Sequence, residues 1–83
     1  MQCYVFASRR KADTYVWLRE RDGAQALPDE LAQLVGELRF VLDIDLSVER
    51  QLPREDAATV LANLRERGWH LQLPPGDDAG LTG

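Results

Sequence analysis

Residues 38–46, with the sequence LRFVLDIDL, contain the clearest alternation in the chain and indicate its fold class. Successive side chains of a β-strand point to opposite faces of a sheet, so apolar residues at every second position predict a strand. One face of this strand is therefore expected to be buried and the other mostly wet. The predicted buried face consists of Leu38, Phe40, Leu42, Ile44 and Leu46, and the opposite face consists of Arg39, Val41, Asp43 and Asp45.

Two shorter apolar runs precede this strand and predict an antiparallel β-hairpin. Residues 2–7 and residues 14–19 are rich in aromatic and β-branched side chains, which are typical of strands. Both faces of each run are apolar, so we expect the hairpin to be covered on both sides. The loop between the runs carries Arg9, Arg10 and Lys11, which form a basic tip.

Two amphipathic segments predict helices, each with a proline at its start, where the missing amide hydrogen costs nothing. The first helix begins at Pro28 and stops at Gly36, and the second spans residues 53–67, before Gly68. The first turn of the second helix is expected to contain Glu55 and Asp56, and its apolar stripe is expected to contain Ala57, Val60, Leu61 and Leu64.

Residues 69–73 alternate again and complete the order ββαβαβ. The strand–helix–strand unit over residues 38–73 is long enough for a right-handed parallel crossover. We therefore predict an α+β fold in which a four-stranded mixed sheet is layered with two helices, an α/β/α-like sandwich with partial cover. A chain of 83 residues is enough for one domain, which we expect over residues 1–75, followed by a flexible tail over residues 76–83.

The composition excludes several classes of protein. A net charge of −4 argues against DNA binding, and a single cysteine, Cys3, leaves no internal disulfide and no four-cysteine zinc site. No apolar run approaches the ~18–20 residues of a membrane span, and the N-terminus lacks a signal-peptide profile. We expect a cytoplasmic protein that does not bind membranes.

A catalytic centre has one candidate in the sequence. Asp43 and Asp45 stand about 6.6 Å apart along the predicted strand, and His70 approaches them if the strands are neighbours. Such a cluster could hold Mg²⁺ in a metal-dependent hydrolase, but no third carboxylate accompanies it. We therefore expect the aspartates to solvate an exposed sheet face, with no metal, no cofactor and no enzymatic activity.

Binding residues are predicted at two places. Arginine presents a planar fork of donors to phosphate, so Arg9, Arg10 and Lys11 predict weak, salt-dependent binding of RNA or phosphate. The alternative is a solvated hairpin tip. Trp69 is a candidate anchor for a protein partner, because tryptophan is favoured at binding hot spots. For this residue the alternative is packing in the core.

Four stretches of the chain resemble the YcgL domain, a small bacterial family. They are CYVFAS at residues 3–8, DTYVW at 13–17, PDEL at 28–31 and GWHLQLPP at 68–75, and their collinear spacing covers residues 2–75. The resemblance implies a compact layered domain and supplies no catalytic residue, cofactor or substrate. We predict a non-enzymatic interaction domain that binds a protein partner, with RNA or phosphate binding through the basic tip as the alternative.

Overall fold

The computed structural model describes residues 1–74 and contains four strands and two α-helices in these residues. The strands are β1 (Gln2–Ser8), β2 (Tyr15–Leu18), β3 (Leu38–Asp45) and β4 (Trp69–Gln72), and the helices are α1 (Asp29–Val35) and α2 (Ala57–Arg67). A 3₁₀ turn at Gly23–Ala26 leads from β2 to α1. The predicted α+β fold and its order ββαβαβ are confirmed. The tail predicted over residues 76–83 lies outside the described residues.

The strands form one sheet in the order β3-β1-β2-β4, and every neighbouring pair is antiparallel. The predicted hairpin of β1 and β2 is present, but the predicted mixed sheet and the parallel crossover from β3 to β4 are wrong. The hairpin has apolar side chains on both faces and therefore takes the centre of the sheet, where both faces are covered. This arrangement leaves β3 and β4 at opposite edges.

The helices cover opposite faces of the sheet, which we name the α1 face and the α2 face. Val16 and Leu18 of β2 point to the α1 face, and Trp17 between them points to the α2 face. The buried residues of the α2 face are Cys3, Val5, Trp17, Leu46, Ala57, Val60, Leu61 and Leu64. Those of the α1 face are Val16, Leu18, Leu27 and Val35. The predicted layering, with a helix on each side of the sheet, is therefore present.

A β-bulge interrupts β3 opposite the middle of β1. Val5 pairs with Leu42, and the next residue, Phe6, pairs with Phe40, so Val41 is the extra residue of β3. An extra residue breaks the two-residue period of a strand, because the side chains after it point to the other face. The predicted alternation therefore holds on each side of Val41 but does not continue through it.

The two halves of β3 consequently face different helices. Leu38 packs in the α1 face, whereas Ile44 packs in the α2 face together with the buried Leu46. The prediction that the even-numbered residues of 38–46 share one buried face is wrong for this reason. Most of β3 is exposed, since the helices pack little against it, whereas the other edge strand, β4, packs against α2 and is largely covered.

The second helix begins at Ala57, four residues later than predicted, because Asp56 caps it from outside. Oδ2 of Asp56 accepts hydrogen bonds from the amide N–H of Thr59 at 3.1 Å and from its hydroxyl at 2.8 Å. The cap satisfies an amide that has no partner within the helix. Gly68 ends the helix in the left-handed region at φ 87°, as predicted. No helix within residues 1–74 is long and apolar enough to cross a membrane.

Candidate functional site

The basic hairpin tip is folded back onto the C-terminal end of α1. Nη1 of Arg10 donates a hydrogen bond to the carbonyl of Gln33 at 2.7 Å, and Nε of Arg9 lies 3.2 Å from Oε2 of Glu37. The C-terminal end of a helix carries partial negative charge, which these guanidinium groups complement. Arg9 and Arg10 therefore stabilise the connection from α1 to β3, a contribution that the sequence does not indicate.

A hydroxyl and a glycine complete this contact. Oγ of Ser8 donates to the carbonyl of Val35 at 2.6 Å and accepts from the amide of Lys11 at 2.9 Å. Gly36 has φ +62°, and a Cβ atom there would lie 3.2 Å from Cβ and Nε of Arg10, so a larger residue would displace the arginine. The tip is thus an ordered turn against α1, and its binding of RNA or phosphate stays a prediction.

His70 lies far from the two aspartates of β3, so the candidate carboxylate–histidine cluster considered in the sequence does not form. β1 and β2 separate β3 from β4, a distance of three strand spacings or about 14 Å. His70 pairs with Trp17 on the α2 face, whereas Asp43 and Asp45 lie on the α1 side of β3. Among residues 1–74 no group of three or more His, Cys, Asp or Glu side chains could hold a metal ion.

His70 instead belongs to a buried polar network beneath α2. Nδ1 of the ring accepts a hydrogen bond from Nδ2 of Asn63 at 2.9 Å, which assigns the ring proton to Nε2. Nε2 then donates to Oε1 of Glu55 at 2.5 Å. Both ring nitrogens are therefore engaged in hydrogen bonds within the domain. The network attaches the segment before α2 to β4, which explains why Glu55 lies outside the helix.

Trp69 borders an apolar groove on the α1 face, between α1 and β4. We name this the α1 groove; it has a volume of about 460 Å³. Trp69 also packs against the buried residues of the α1 face, and the Arg67 guanidinium lies 5.1 Å from its ring centroid. Its use as a partner anchor stays a prediction. The groove is lined by Pro28, Glu30, Leu31, Leu34, Trp69 and Leu71.

A second groove lies on the α2 face, where the loop over residues 50–55 covers part of the sheet. We name this the α2 groove; it has a volume of about 410 Å³. Its apolar surface extends from the centre of the sheet to the outer strand β3. The apolar lining consists of Val5, Tyr15, Trp17, Val41, Leu42, Ile44, Leu52 and Pro53, and the polar lining consists of Arg50, Gln51, Arg54, Glu55 and Gln72.

The α2 groove opens beside two exposed apolar side chains of β3. Phe40, Val41, Leu42 and Val48 are between 38% and 62% exposed, and Leu34 on α1 is the one other large apolar residue so exposed among residues 1–74. Val41 and Leu42 line the groove together, because the bulge brings both of them to its side of the sheet. Phe40, before the bulge, instead packs edge to face against Phe6 on the α1 face. The apolar surface of the α2 groove therefore extends onto β3 at Val41 and Leu42.

Two arginines stand on the wall of this groove. Arg50 and Arg54 are both exposed, and neither guanidinium makes an ion pair or a hydrogen bond with another residue of the described part of the chain. They contrast with Arg9 and Arg10, whose guanidinium groups contact Glu37 and the end of α1 respectively. Sequence reasoning missed them, because they are separated by three residues in a loop and form no run of positive charge.

These observations define a class of protein: a small α+β domain with an antiparallel sheet, a helix on each face and an exposed apolar edge strand. Comparison with known proteins then identifies the family. The model of the YcgL domain matches residues 3–75, and the chain belongs to the YcgL domain family. The resemblance inferred from its sequence motifs is confirmed.

Similar proteins cover nearly the whole chain. A YcgL domain-containing protein of Thioalkalivibrio sulfidiphilus is 48% identical over 81 residues, which are 98% of this chain and 100% of the relative. A relative in Stenotrophomonas maltophilia is 44% identical, over 90% of this chain and 87% of its own length. One in Pseudomonas aeruginosa is 41% identical, over 92% of this chain and 78% of its own length.

Proposed function

We propose that this domain is a non-enzymatic module of the bacterial cytoplasm that binds a protein partner through the edge of β3 and the α2 groove. The observation that carries the proposal is that Val41 and Leu42, neighbouring apolar residues that stay 39% and 45% exposed, both line the α2 groove. Single exposed apolar residues are normal in proteins, but contiguous ones next to a groove mark an interaction surface. Arg50 and Arg54 supply the polar rim that such surfaces have.

The chemistry of the potentially reactive side chains supports a binding function over catalysis. Both nitrogens of His70 are engaged in hydrogen bonds. Burial raises the pKa of the Cys3 thiol, which keeps it protonated, while the reactive form of a cysteine is the thiolate.

RNA or phosphate binding through Arg9, Arg10 and Lys11 is the competing function. The Arg9 side chain is 59% exposed, so phosphate could approach it. Its guanidinium is already paired with Glu37, however, and that of Arg10 is bonded to α1, so a phosphate would have to share or break these contacts.

The test uses two leucines that are matched in exposure but lie on opposite faces. Leu42, in the α2 groove, is 45% exposed, and Leu34, in the α1 groove, is 44% exposed. The wild type, Leu42→Ser and Leu34→Ser are each immobilised and incubated with a lysate of the source organism. The affinity of each retained protein for the three forms of the domain is then measured with purified components. We expect a partner that Leu34→Ser binds like the wild type and that Leu42→Ser binds at least about tenfold more weakly.

Two results would contradict the proposal. One is that Leu42→Ser retains the same proteins from the lysate as the wild type does. The other is binding of single-stranded RNA at low salt that disappears when Arg9, Arg10 and Lys11 are replaced together by alanine, since this would establish the competing function.

A further inference from the structure

We infer that the partner presents an extended segment, which adds to the outer edge of β3 and places an acidic side chain against Arg50 and Arg54. This inference rests on the proposed function and specifies the chemistry of the partner.

The outer edge of β3 offers the backbone groups that an added strand needs. β3 is paired with β1 on one side only, so its outward N–H and C=O groups have no neighbouring strand within the described residues. It spans eight residues, whereas the other edge strand, β4, spans four. An extended peptide that pairs with such an edge gains affinity from main-chain hydrogen bonds and specificity from alternate side chains.

The bulge determines which part of the edge is available. A bulge interrupts regular pairing, and at an edge strand it opposes long, unspecific addition of another chain. An added strand therefore pairs with the half of β3 after Val41. In this half Leu42 and Ile44 face the α2 groove, so every second side chain of the added strand lies over the groove.

The charges around the α2 groove determine which side chains of the added strand fit there. Arg50 and Arg54 form the cationic wall of the groove, and a guanidinium binds a carboxylate with two parallel hydrogen bonds. The apolar lining favours an apolar side chain beside that carboxylate. On the other side of β3 the exposed Asp43 and Asp45 favour basic or neutral polar residues. The segment therefore alternates, with acidic and apolar residues toward the groove and uncharged or basic residues away from it.

A second copy of the chain is a poorer occupant of the same edge. Two copies of β3 can pair antiparallel with all side chains on matching faces in one register, which places Leu38 opposite Asp45 and Phe40 opposite Asp43. In this register Arg39 lies opposite Ile44. No pair of opposite charges forms, and each carboxylate meets an apolar side chain, so charge complementarity favours a different protein.

The experiment is a selection from displayed random peptides long enough to pair with the half of β3 after Val41. We expect enriched peptides in which an acidic and an apolar residue are two positions apart, so that both face the groove, and in which the residue between them is uncharged or basic. The double variant Arg50→Gln/Arg54→Gln should bind a synthetic copy of the best peptide at least about tenfold more weakly than the wild type. The control is Arg65→Gln, an exposed arginine at the end of α2, which should leave the affinity unchanged.

The outcomes separate this inference from the proposed function. One outcome is that the selected peptides bind Leu42→Ser more weakly but bind Arg50→Gln/Arg54→Gln like the wild type. This would contradict the acidic character of the segment but agree with the proposed binding surface. Peptides that depend on Leu34 and Trp69 would overturn both the segment and its location. A stable dimer in solution that Leu42→Ser dissociates would show that a second copy occupies the edge, and would also overturn the inference.

Discussion

The two faces of the sheet differ in the length of the helix and in the size of the buried cluster that each contains. On one face α2 contains eleven residues, is capped by Asp56 and packs in a cluster of eight buried residues. On the other face α1 contains seven residues, has no side-chain cap and belongs to a cluster of four. A helix as short as α1 forms only through its tertiary contacts, and here the hairpin tip supplies several of them.

This difference separates stability from recognition. The deeper cluster of the α2 face provides most of the apolar burial, and its fully buried residues include Leu46, Val60 and Leu64. The side chains of Val41 and Leu42 lie on the same face but stay 39% and 45% exposed. The proposed partner would cover this remaining apolar surface.

The largest expected effect is the loss of a large side chain from the α2 face. Leu64→Ala removes a fully buried leucine, which costs about 2–5 kcal/mol of the free energy of unfolding because a cavity remains. The same change on the other helix, Leu34→Ala, removes an exposed side chain and should cost about 0.5 kcal/mol or less. Urea unfolding followed by tryptophan fluorescence measures both values. Equal losses would show that the two faces are equally important for stability.

The next effect concerns the buried network on the α2 face. Glu55→Ala leaves Nε2–H of His70 without an acceptor, which should lower the free energy of unfolding by about 1–3 kcal/mol. Glu55→Gln keeps an acceptor oxygen and should recover most of that loss. The comparison is made by urea unfolding at neutral pH. If both variants are as stable as the wild type, the hydrogen bond does not attach the loop before α2.

A smaller effect is expected at the start of the two helices. Asp56→Ala removes the cap of α2 and should cost about 1 kcal/mol, whereas Asp56→Asn should stay close to the wild type. Asp29→Ala, in the first turn of α1, removes only a favourable interaction with the helix dipole, so we expect a loss of a few tenths of a kcal/mol. Thermal unfolding by circular dichroism gives both values, and a larger loss at Asp29 would reverse the ranking of the helices.

The smallest effect is a pH dependence at Cys3, at the bottom of the α2 face. Burial raises the pKa of the Cys3 thiol above its ordinary value of 9.0, so the folded state favours the protonated form. The resulting stability is complete below that pH and is lost as the pH rises through the higher pKa of the folded protein. Above about pH 9 the wild type should therefore lose stability faster than Cys3→Ala. Parallel slopes in the two proteins, measured by urea unfolding at a series of pH values, would contradict this.

Local patterns in the sequence were sufficient for the elements but not for their pairing. Alternation within residues 2–7 and 14–19 predicts the hairpin and the correct faces of Val16 and Trp17, because both properties depend on neighbours in sequence. The bulge at Val41 depends on how β3 aligns with β1, and the strand order depends on which elements are most apolar on both faces. Neither can be read within the segment itself.

The candidate site shows the same limit. The run Arg9-Arg10-Lys11 stands out in the sequence, yet Arg10 binds the end of α1 and Arg9 pairs with Glu37. Arg50 and Arg54 do not stand out, and only the fold places them beside Leu42. Glu55 is expected in a helical turn, but it pairs with His70, which lies fifteen positions later. Charge in a sequence therefore indicates a binding site only after the partners of each charge are known.

The location of the binding surface is tested most directly by amide chemical shifts of the labelled domain, recorded while a purified partner or the selected peptide is added. Binding as proposed shifts the amide signals of residues 41–44, 50–52 and 54, and leaves those of residues 30–34 and 69–71 unchanged. Shifts confined to the α1 groove, or to the hairpin tip at residues 9–11, would contradict it.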